Sequence, residues 1–461
     1  MLNLPEQVPS LWQDTAGVQP ARPPLLQNIT TDVAIIGGGF TGLATAHEIR
    51  RADPSVAVTV LEARSAGYGA SGRNGAFAMT VVGLGFSATA MLRGNAFLQR
   101  AHRYMMTAVD DLDTLIRDHN FDCDCTRPGF LRVATTPAYE RKLQKEVRLM
   151  QRLGFDDLFW LDANALRSRI VSPAYRGAMW EPRLLLVDPL KLVREDLRLA
   201  VLCGARVYEN TPVLEIQRNR DKFQLRTPQG EIRCSRLVMA TNAYSHLFPA
   251  LKRKQIPAFT YMVATRPLTH AELDSIAWHG REGVEDARNL IHYYRLSPDN
   301  RLVMGGGPVG LTWGNTLSGD SNHRAWRHLE RHIGRVFPSL ANVPVTHRWG
   351  GPFSVTTNLT PAIGFMGDER AVFNLGCIGH GVAMSHRNAR VIRDLILNRP
   401  IADIDCPFIQ SHVLPWPSEP LRWAAVVSLR ALLQAEDWMN ETLLPANPTD
   451  ERFEDLGAND R

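Results

Sequence analysis

The chain has 461 residues, with 52 Lys and Arg against 47 Asp and Glu and a formal net charge of +5. So small a surplus on so long a chain, with no basic run interleaved with aromatics, argues against a nucleic-acid partner. No stretch approaches about 18 consecutive apolar residues, so no membrane span is expected.

The length suits two or three domains of about 100–200 residues each. The start, M-L-N-L-P-E-Q-V-P-S, lacks a basic segment followed by an apolar core, so a secretory leader is not expected. The six cysteines are scattered, and Cys123 and Cys125 flank Asp124 in neither a redox nor a zinc spacing. They read as thiols of a reducing cytoplasm. The fourteen histidines form no metal-ligand grouping along the chain.

Residues 1–30 carry many prolines and few periodic apolar positions, and read as an extended N-terminal arm. Asp32 to Gly42 then runs D-V-A-I-I-G-G-G-F-T-G, a short apolar strand, a glycine turn and a helix start. Gly37 permits the tight turn, Gly39 lets backbone approach a pyrophosphate, and Gly42 lets the helix pack on the strand. The helix N-terminus presents N–H groups and partial positive charge to phosphates. A second strand, Val56 to Leu61, ends in Glu62, whose carboxylate can accept from ribose hydroxyls.

Residues 65–76, S-A-G-Y-G-A-S-G-R-N-G-A, are small enough to press against a flat ligand. Residues 96–120 alternate apolar positions at helical spacing, from Leu98 to Ile116. A strand is expected at 127–134, a helix from Tyr139 to Leu153, and strands at 178–182 and 184–187. Asp188-Pro189 opens a helix that Gly204 stops. Alternating runs follow, the last ending at Ala240-Thr241-Asn242, as a strand end at a ligand crevice would. Strands are expected within 255–268 and 290–306, and a helix at 321–336. Val372 to Leu375 runs into G-C-I-G-H-G-V and a helix to Leu397, a second glycine corner able to aim N–H groups at a ligand. Residues 412–461 read as a Pro-broken connector, a helix from Leu421 to Trp438 and a frayed polar end.

Together, I-I-G-G-G-F-T-G-L, L-E-A-R-S-A-G-Y-G-A-S-G-R-N-G, A-T-N-A-Y, Y-Y-R-L-S-P-D-N-R-L-V-M-G-G-G, W-G-G and G-H-G-V resemble the flavin-dependent D-amino acid oxidase superfamily. Within it they resemble the γ-glutamylputrescine oxidoreductase-like branch, across residues 31 to 411. The resemblance implies an α/β fold. A discontinuous Rossmann-type FAD-binding domain would come from 31–92, 187–250 and 346–411. An α+β substrate domain with a mostly antiparallel sheet would come from 93–186 and 251–345, and 412–461 would form a helical tail.

By motif position, Gly37, Gly38, Gly39, Phe40, Thr41 and Gly42 would meet the pyrophosphate region. Glu62 would meet the ribose, with Ala63 and Arg64 beside it. Ala70, Ser71, Gly72, Arg73, Asn74 and Gly75 would run along the flavin and its phosphates, with Val213 and Thr241 completing the cofactor set. Gly379, His380, Gly381 and Val382 would sit at the flavin ring, where N–H donors stabilise developing negative charge. Arg295 resembles the arginine that holds a substrate carboxylate in D-amino acid and glycine oxidases, and its fork suits that role. His380 is the second catalytic candidate; each of the two is equally readable as structural. Tyr293 and Tyr294 alternate faces, so at most one lines the cavity.

The implied chemistry is flavin-dependent oxidation of a carbon–nitrogen bond in a small amine or amino acid, followed by imine hydrolysis. Oxygen would take the electrons and give hydrogen peroxide. Alternatives are an amino acid or aminophosphonate oxidase, a dehydrogenase serving a quinone or carrier protein, and a non-catalytic flavin binder. W-G-G-P-F-S has no cysteine and 65–76 no histidine, the attachment points of covalent relatives, so non-covalent FAD is expected. Ala76 stands where the branch more often has a second glycine after Asn-Gly.

Overall fold

The computed structural model describes residues 4–5, 8–402, 405–409 and 413–442. The frayed end expected at 443–461 lies outside the described residues. In chain order the elements are α1 (Leu11–Ala16), β1 (Ile29–Ile36), α2 (Phe40–Ala52), β2 (Val58–Leu61), β3 (Phe77–Ala78), α3 (Phe86–Arg93), α4 (Asn95–Asp118) and β4 (Phe130–Ala134). Next come α5 (Pro137–Arg152), β5 (Phe159–Asp162), α6 (Ala163–Arg167), β6 (Gly177–Glu181), β7 (Leu185–Leu186), α7 (Pro189–Leu202), β8 (Arg206–Tyr208), β9 (Glu215–Arg218), β10 (Phe223–Arg226) and β11 (Glu231–Met239). The chain continues with β12 (Ile256–Pro267), α8 (His270–Ile276), β13 (Gly283–Asp286), β14 (His292–Leu296), β15 (Arg301–Gly306), α9 (His323–Val336), β16 (Val345–Val355), β17 (Ala362–Phe365), β18 (Ala371–Leu375), α10 (Gly381–Ile396) and α11 (Leu421–Thr442).

Two large sheets organise these elements. The first has the order β17-β18-β11-β1-β2-β8, with the β9–β10 hairpin added to β11. Its central strands β18, β11, β1, β2 and β8 are parallel. Strands buried on both faces need near-continuous apolar runs; Val33 to Ile36 supply one and Val58 to Leu61 another, interrupted only by Thr59, all buried. One face packs on α2, α4, α7 and α10 through Leu43, Ile49, Met105, Leu112, Val193 and Ile392. The second sheet has the order β16-β12-β15-β14-β13-β4-β6-β5. It is antiparallel except at β13–β4. A second core beneath it joins Val263, Tyr294 and Met304 to Trp326 and Leu329 of α9.

The helices fall close to the spans their periodicity predicts. The apolar face of α4 buries Leu98, Tyr104, Met105, Ala108, Leu112 and Ile116. Asp188 caps α7 by accepting N–H groups of Leu190 and Lys191, with Pro189 following. Strand β16 spans the boundary expected at 345/346 and pairs with β12 along its length. Among the described residues no helix is long and apolar enough to cross a membrane.

The extended arm is corrected at residues 11–16, which form α1. Leu11 and Trp12 are 1% exposed. The Trp12 indole N–H donates to Asn74 O at 2.9 Å, and Trp349 N–H donates to Arg73 O at 2.9 Å. The two indoles meet edge to face at 6.3 Å. One apolar turn among prolines is too short to show as a periodic pattern, so sequence periodicity missed it.

Trp12 therefore fixes the small-residue loop as well as filling core. Trp12→Ala should lower unfolding stability by about 3–5 kcal/mol. Trp12→Phe, which keeps the ring but loses the donor, should cost about 1 kcal/mol. Denaturant titration of the two variants checks the order.

Candidate active site

The first glycine corner joins β1 to α2. Gly37 has φ of +111°, and a Cβ there would lie 2.5 Å from Ala240 O. A Cβ on Gly42 would sit 1.9 Å from Gly37 O, so this glycine serves helix–strand packing. The second corner joins β18 to α10, with Gly379 at φ of +82° and open space beside it. The strands β18, β11 and β1 are neighbours, so both corners open at the same end of one parallel sheet. Thr41 Oγ1 donates to Ser385 Oγ at 3.1 Å, and Asn374 Nδ2 donates to Thr41 Oγ1 at 3.3 Å. The N-terminal turns of α2 and α10 thus stand side by side.

Two cavities share this end of the sheet. The smaller, about 100 Å³, is lined by Gly37, Gly39, Glu62, Ala63, Ala70, Ser71, Val213 and Thr241, with Leu4, Tyr68 and Tyr244. The larger, about 240 Å³, is lined by Gly39, Phe40, Thr41, Ala70, Ser71, Arg73, Asn74, Gly75, Gly379, His380, Gly381 and Val382. Gly39, Ala70, Ser71, Ala240 and Asn242 border both. The two spaces adjoin as one trough with the α2 N-terminus at its waist. That is the shape an extended dinucleotide needs, with phosphates at the helix end.

Glu62 anchors the small cavity. Its carboxylate accepts N–H of Gly38 at 2.7 Å and N–H of Arg64 at 3.0 Å. Burial pushes its carboxyl up, against the pull of those two N–H groups. Gly38 and Arg64 therefore serve through their backbones and line neither cavity; the Arg64 guanidinium donates to Leu4 O at 2.9 Å. Gly72 also stays outside, since a Cβ there would lie 2.4 Å from Gly67 O. Asn74 ties the small-residue loop together. Its Nδ2 donates to Ala70 O and Ser71 O, and its Oδ1 accepts Ala76 N–H at 2.7 Å.

Arg73 is buried at the larger cavity, 3.8 Å from Asp320 Oδ2. Burial lowers its pKa. Ala76, at φ of +68°, holds a left-handed conformation that glycine would adopt without strain. His380 borders the larger cavity with its Nδ1 buried and unpartnered. Burial brings its pKa down to about 4, so its imidazole is neutral near pH 7.

The far wall comes from the second sheet. Tyr293 lines the cavity, sandwiched where a Cβ on Gly75 or Gly305 would lie 2.6 Å from its ring. Tyr294 points to the second core, its hydroxyl 2.5 Å from that of Tyr175. Arg295 lines neither cavity. It shares the face of Tyr293 but lies one residue pair further along β14, beneath Trp12. Its Nη1 donates to Val187 O at 2.7 Å, and burial brings its pKa down to about 10.

The ionisable group that the second sheet does bring to the cavity is Glu285 of β13. Its Oε1 lies 3.2 Å from Arg132 Nε, while Glu146 takes Arg132 Nη1 at 3.1 Å. One guanidinium thus serves two buried carboxylates. Burial, opposed by Arg132 and reinforced by Asp286 and Glu146, raises Glu285 to about 7. Glu285 and Asn289 escaped the sequence analysis because a strand end and its following loop carry no motif.

The fold also assembles a grouping not seen in the sequence. Asp286, His292 and His332 bring donor atoms within 4.8 Å of one another. His292 joins Asp286 Oδ2 through Nδ1 at 2.8 Å and His328 Nε2 through Nε2 at 2.9 Å. Both its ring nitrogens are thereby engaged, so Asp286, His292 and His328 form a hydrogen-bonded chain from β13 through β14 to α9, and the His332 ring stacks on His292 at 3.8 Å.

Comparison with known proteins agrees with this fold. The family model described as FAD dependent oxidoreductase (DAO) matches residues 32–395. Gamma-glutamylputrescine oxidoreductase of Escherichia coli (strain K12) is 32% identical over 374 residues, covering 81% of this chain and 85% of that protein. Glycine oxidase of Bacillus subtilis (strain 168) is 23% identical, covering 80% and 94%. The crystal structure of glycine oxidase from Geobacillus kaustophilus superimposes with a TM-score of 0.72 at 19% identity, covering 84% of this chain and 99% of that one.

A Cβ on Gly39 would lie 2.7 Å from Ser71 Oγ, in the waist between the cavities. Gly39→Ala should leave the purified protein largely colourless. Glu62→Gln, which sets an amide N–H₂ against one of two N–H donors, should weaken FAD binding about tenfold. Absorbance at 450 nm and titration of the stripped protein with FAD read both effects.

Proposed function

This chain belongs to the DAO family of FAD-dependent oxidoreductases, and from that premise we propose that it oxidises a carbon–nitrogen bond in a small cationic amine of the γ-glutamylputrescine kind. The overall reaction consumes amine, water and oxygen, and gives a carbonyl compound, the departing amine and hydrogen peroxide. FAD is the cofactor, and when bound it supplies the two-electron acceptor.

The protein's own groups orient and polarise. The α2 N-terminus, with Gly39, Phe40 and Thr41 at the cavity wall, would receive the pyrophosphate, Glu62 would receive the ribose, and Ala63, Val213 and Thr241 would close around the adenosine end. The loop of residues 70–75 supports the flavin, with the Arg73 charge beside it. N–H groups at Gly379, Gly381 and Val382 would face the ring's carbonyl edge, where electron density accumulates on reduction, while the His380 N–H is held by Cys377 O. His380, neutral, contributes a hydrogen bond rather than a charge. Attachment is non-covalent: burial pushes the Cys377 thiol up, and its Sγ lies 3.5 Å from Asn242 Oδ1 as a donor.

The observation that carries the substrate assignment is Glu285. A buried carboxylate at the cavity, with its guanidinium shared with Glu146, favours a cation over a carboxylate. Arg295, the group that would favour an amino acid's carboxylate, is walled off behind α1. With a pKa near 7, Glu285 also suits the acceptance of an ammonium proton, leaving a neutral amine whose lone pair assists loss of the neighbouring hydrogen.

The sign of the pH effect follows from that value. Below pH 7 Glu285 is protonated and attracts a cation weakly; above it the carboxylate is ionised. Amine affinity should rise about tenfold from pH 6 to pH 8 as the ionised fraction grows. Glu285→Gln should flatten that rise and weaken binding at pH 8. Anaerobic flavin bleaching, titrated with γ-glutamylputrescine at each pH, tests the assignment; bleaching by D-amino acids alone would contradict it. Acid precipitation should release all flavin to the supernatant, and a yellow pellet would contradict non-covalent attachment.

A further inference from the structure

Besides His380 Nδ1, a second side-chain polar atom at the larger cavity makes no hydrogen bond. The Nδ2 of Asn289 is buried and unpartnered, and Asn289 lines that cavity three residues past the end of β13. A buried amide donor without an acceptor is uncommon in a folded protein and points to an acceptor that the ligand brings.

The backbone of this segment is gripped from outside the cavity by α11. Asp437 accepts N–H of Asn289 at 2.8 Å and N–H of Leu290 at 3.0 Å. Tyr139 O–H donates to the same carboxylate at 3.1 Å. Arg288 pairs with Asp286 of β13 and Glu441 of α11. At another part of the wall, Arg430 of α11 donates to Val309 O at 3.2 Å, and Val309 lines the cavity. All these α11 groups lie beyond residue 395, where the family match ends. The helix is therefore placed to set a feature of this chain's substrate choice that the shared fold does not determine.

We infer that Asn289 is a specificity-determining donor that reads a carbonyl or carboxylate oxygen of the substrate, remote from its reacting nitrogen, and that Asp437 is its positioning residue. This rests on the reading of the cavity as an amine site. Glu285 receives the cationic end and Asn289 the acyl end, so the pair selects an acylated amine over a bare diamine.

The test compares γ-glutamylputrescine, which carries such oxygens, with putrescine, which carries none. Anaerobic calorimetry on the FAD-loaded protein reads binding, and flavin bleaching reads reaction. Asn289→Ala should weaken γ-glutamylputrescine about tenfold and putrescine less than about twofold. Asn289→Leu, close in size but with the donor removed and no charge added, should do the same if the alanine variant fails to fold. Asp437→Asn should shift affinity in the same direction by less and speed hydrogen exchange at the amides of residues 289 and 290. Equal losses for both amines, no loss for either, or no binding of γ-glutamylputrescine by the unaltered protein would overturn the role of Asn289. Unchanged exchange in Asp437→Asn would overturn the positioning role. Selective loss of binding in a protein whose flavin neither amine bleaches would support Asn289 and contradict the proposed oxidation.

Discussion

A hydrogen bond of 3.1 Å joins Thr41 to Ser385 across 344 residues of chain, and the arrangement it marks governs the rest of the site. Two helix N-termini, each following a glycine corner on a parallel strand, must lie side by side. Gly42 permits this on one side because α2 sits close enough to β1 for any side chain there to strike Gly37 O. Helix ends so aligned concentrate unsatisfied N–H groups at one edge of the sheet. That edge suits a ligand carrying negative charge along its length and electron-accepting carbonyls at one end.

A flat ligand also needs a support that does not move. The small-residue loop has little side-chain bulk to pack with, so larger groups around it do the fixing. Trp12 and Trp349 hold its carbonyls, Asn74 closes its turn, and Tyr293 fills the space that Gly75 and Gly305 leave. The N-terminal segment thus belongs to the site's frame. Its Leu4 borders the smaller cavity, and its Trp12 ring lies 5.9 Å from the Arg295 guanidinium.

Much of the first sheet was legible because its signals are local. Strand, glycine turn and helix follow one another between residues 32 and 52, and strand-end positions such as Glu62 and Thr241 inherit their location from sheet topology. Helix spans followed apolar periodicity, as in α4, where one face carries the core. What escaped depends on long-range packing. Arg295 and Tyr293 share a face of β14, yet Tyr293 meets the cavity while Arg295 lies under Trp12. Glu285 becomes informative only once Arg132 and Glu146, from β4 and α5, are seen to share one positive charge with it. The Asp286–His292–His328 chain draws on three elements separated in sequence, so no spacing announces it. Ala76 shows a departure legible in sequence as a missing glycine, and in structure as a non-glycine residue at positive φ.

The account turns on one placement: FAD lying along the trough, with its adenosine at Glu62 and its ring between His380 and Tyr293. A crystal structure of the FAD-loaded protein measures this directly. The expected density puts the ribose against the Glu62 carboxylate, the pyrophosphate at the α2 N-terminus and the ring in the 240 Å³ cavity with one face toward Glu285. Density for the ring outside that cavity, or an adenosine remote from Glu62, would contradict it.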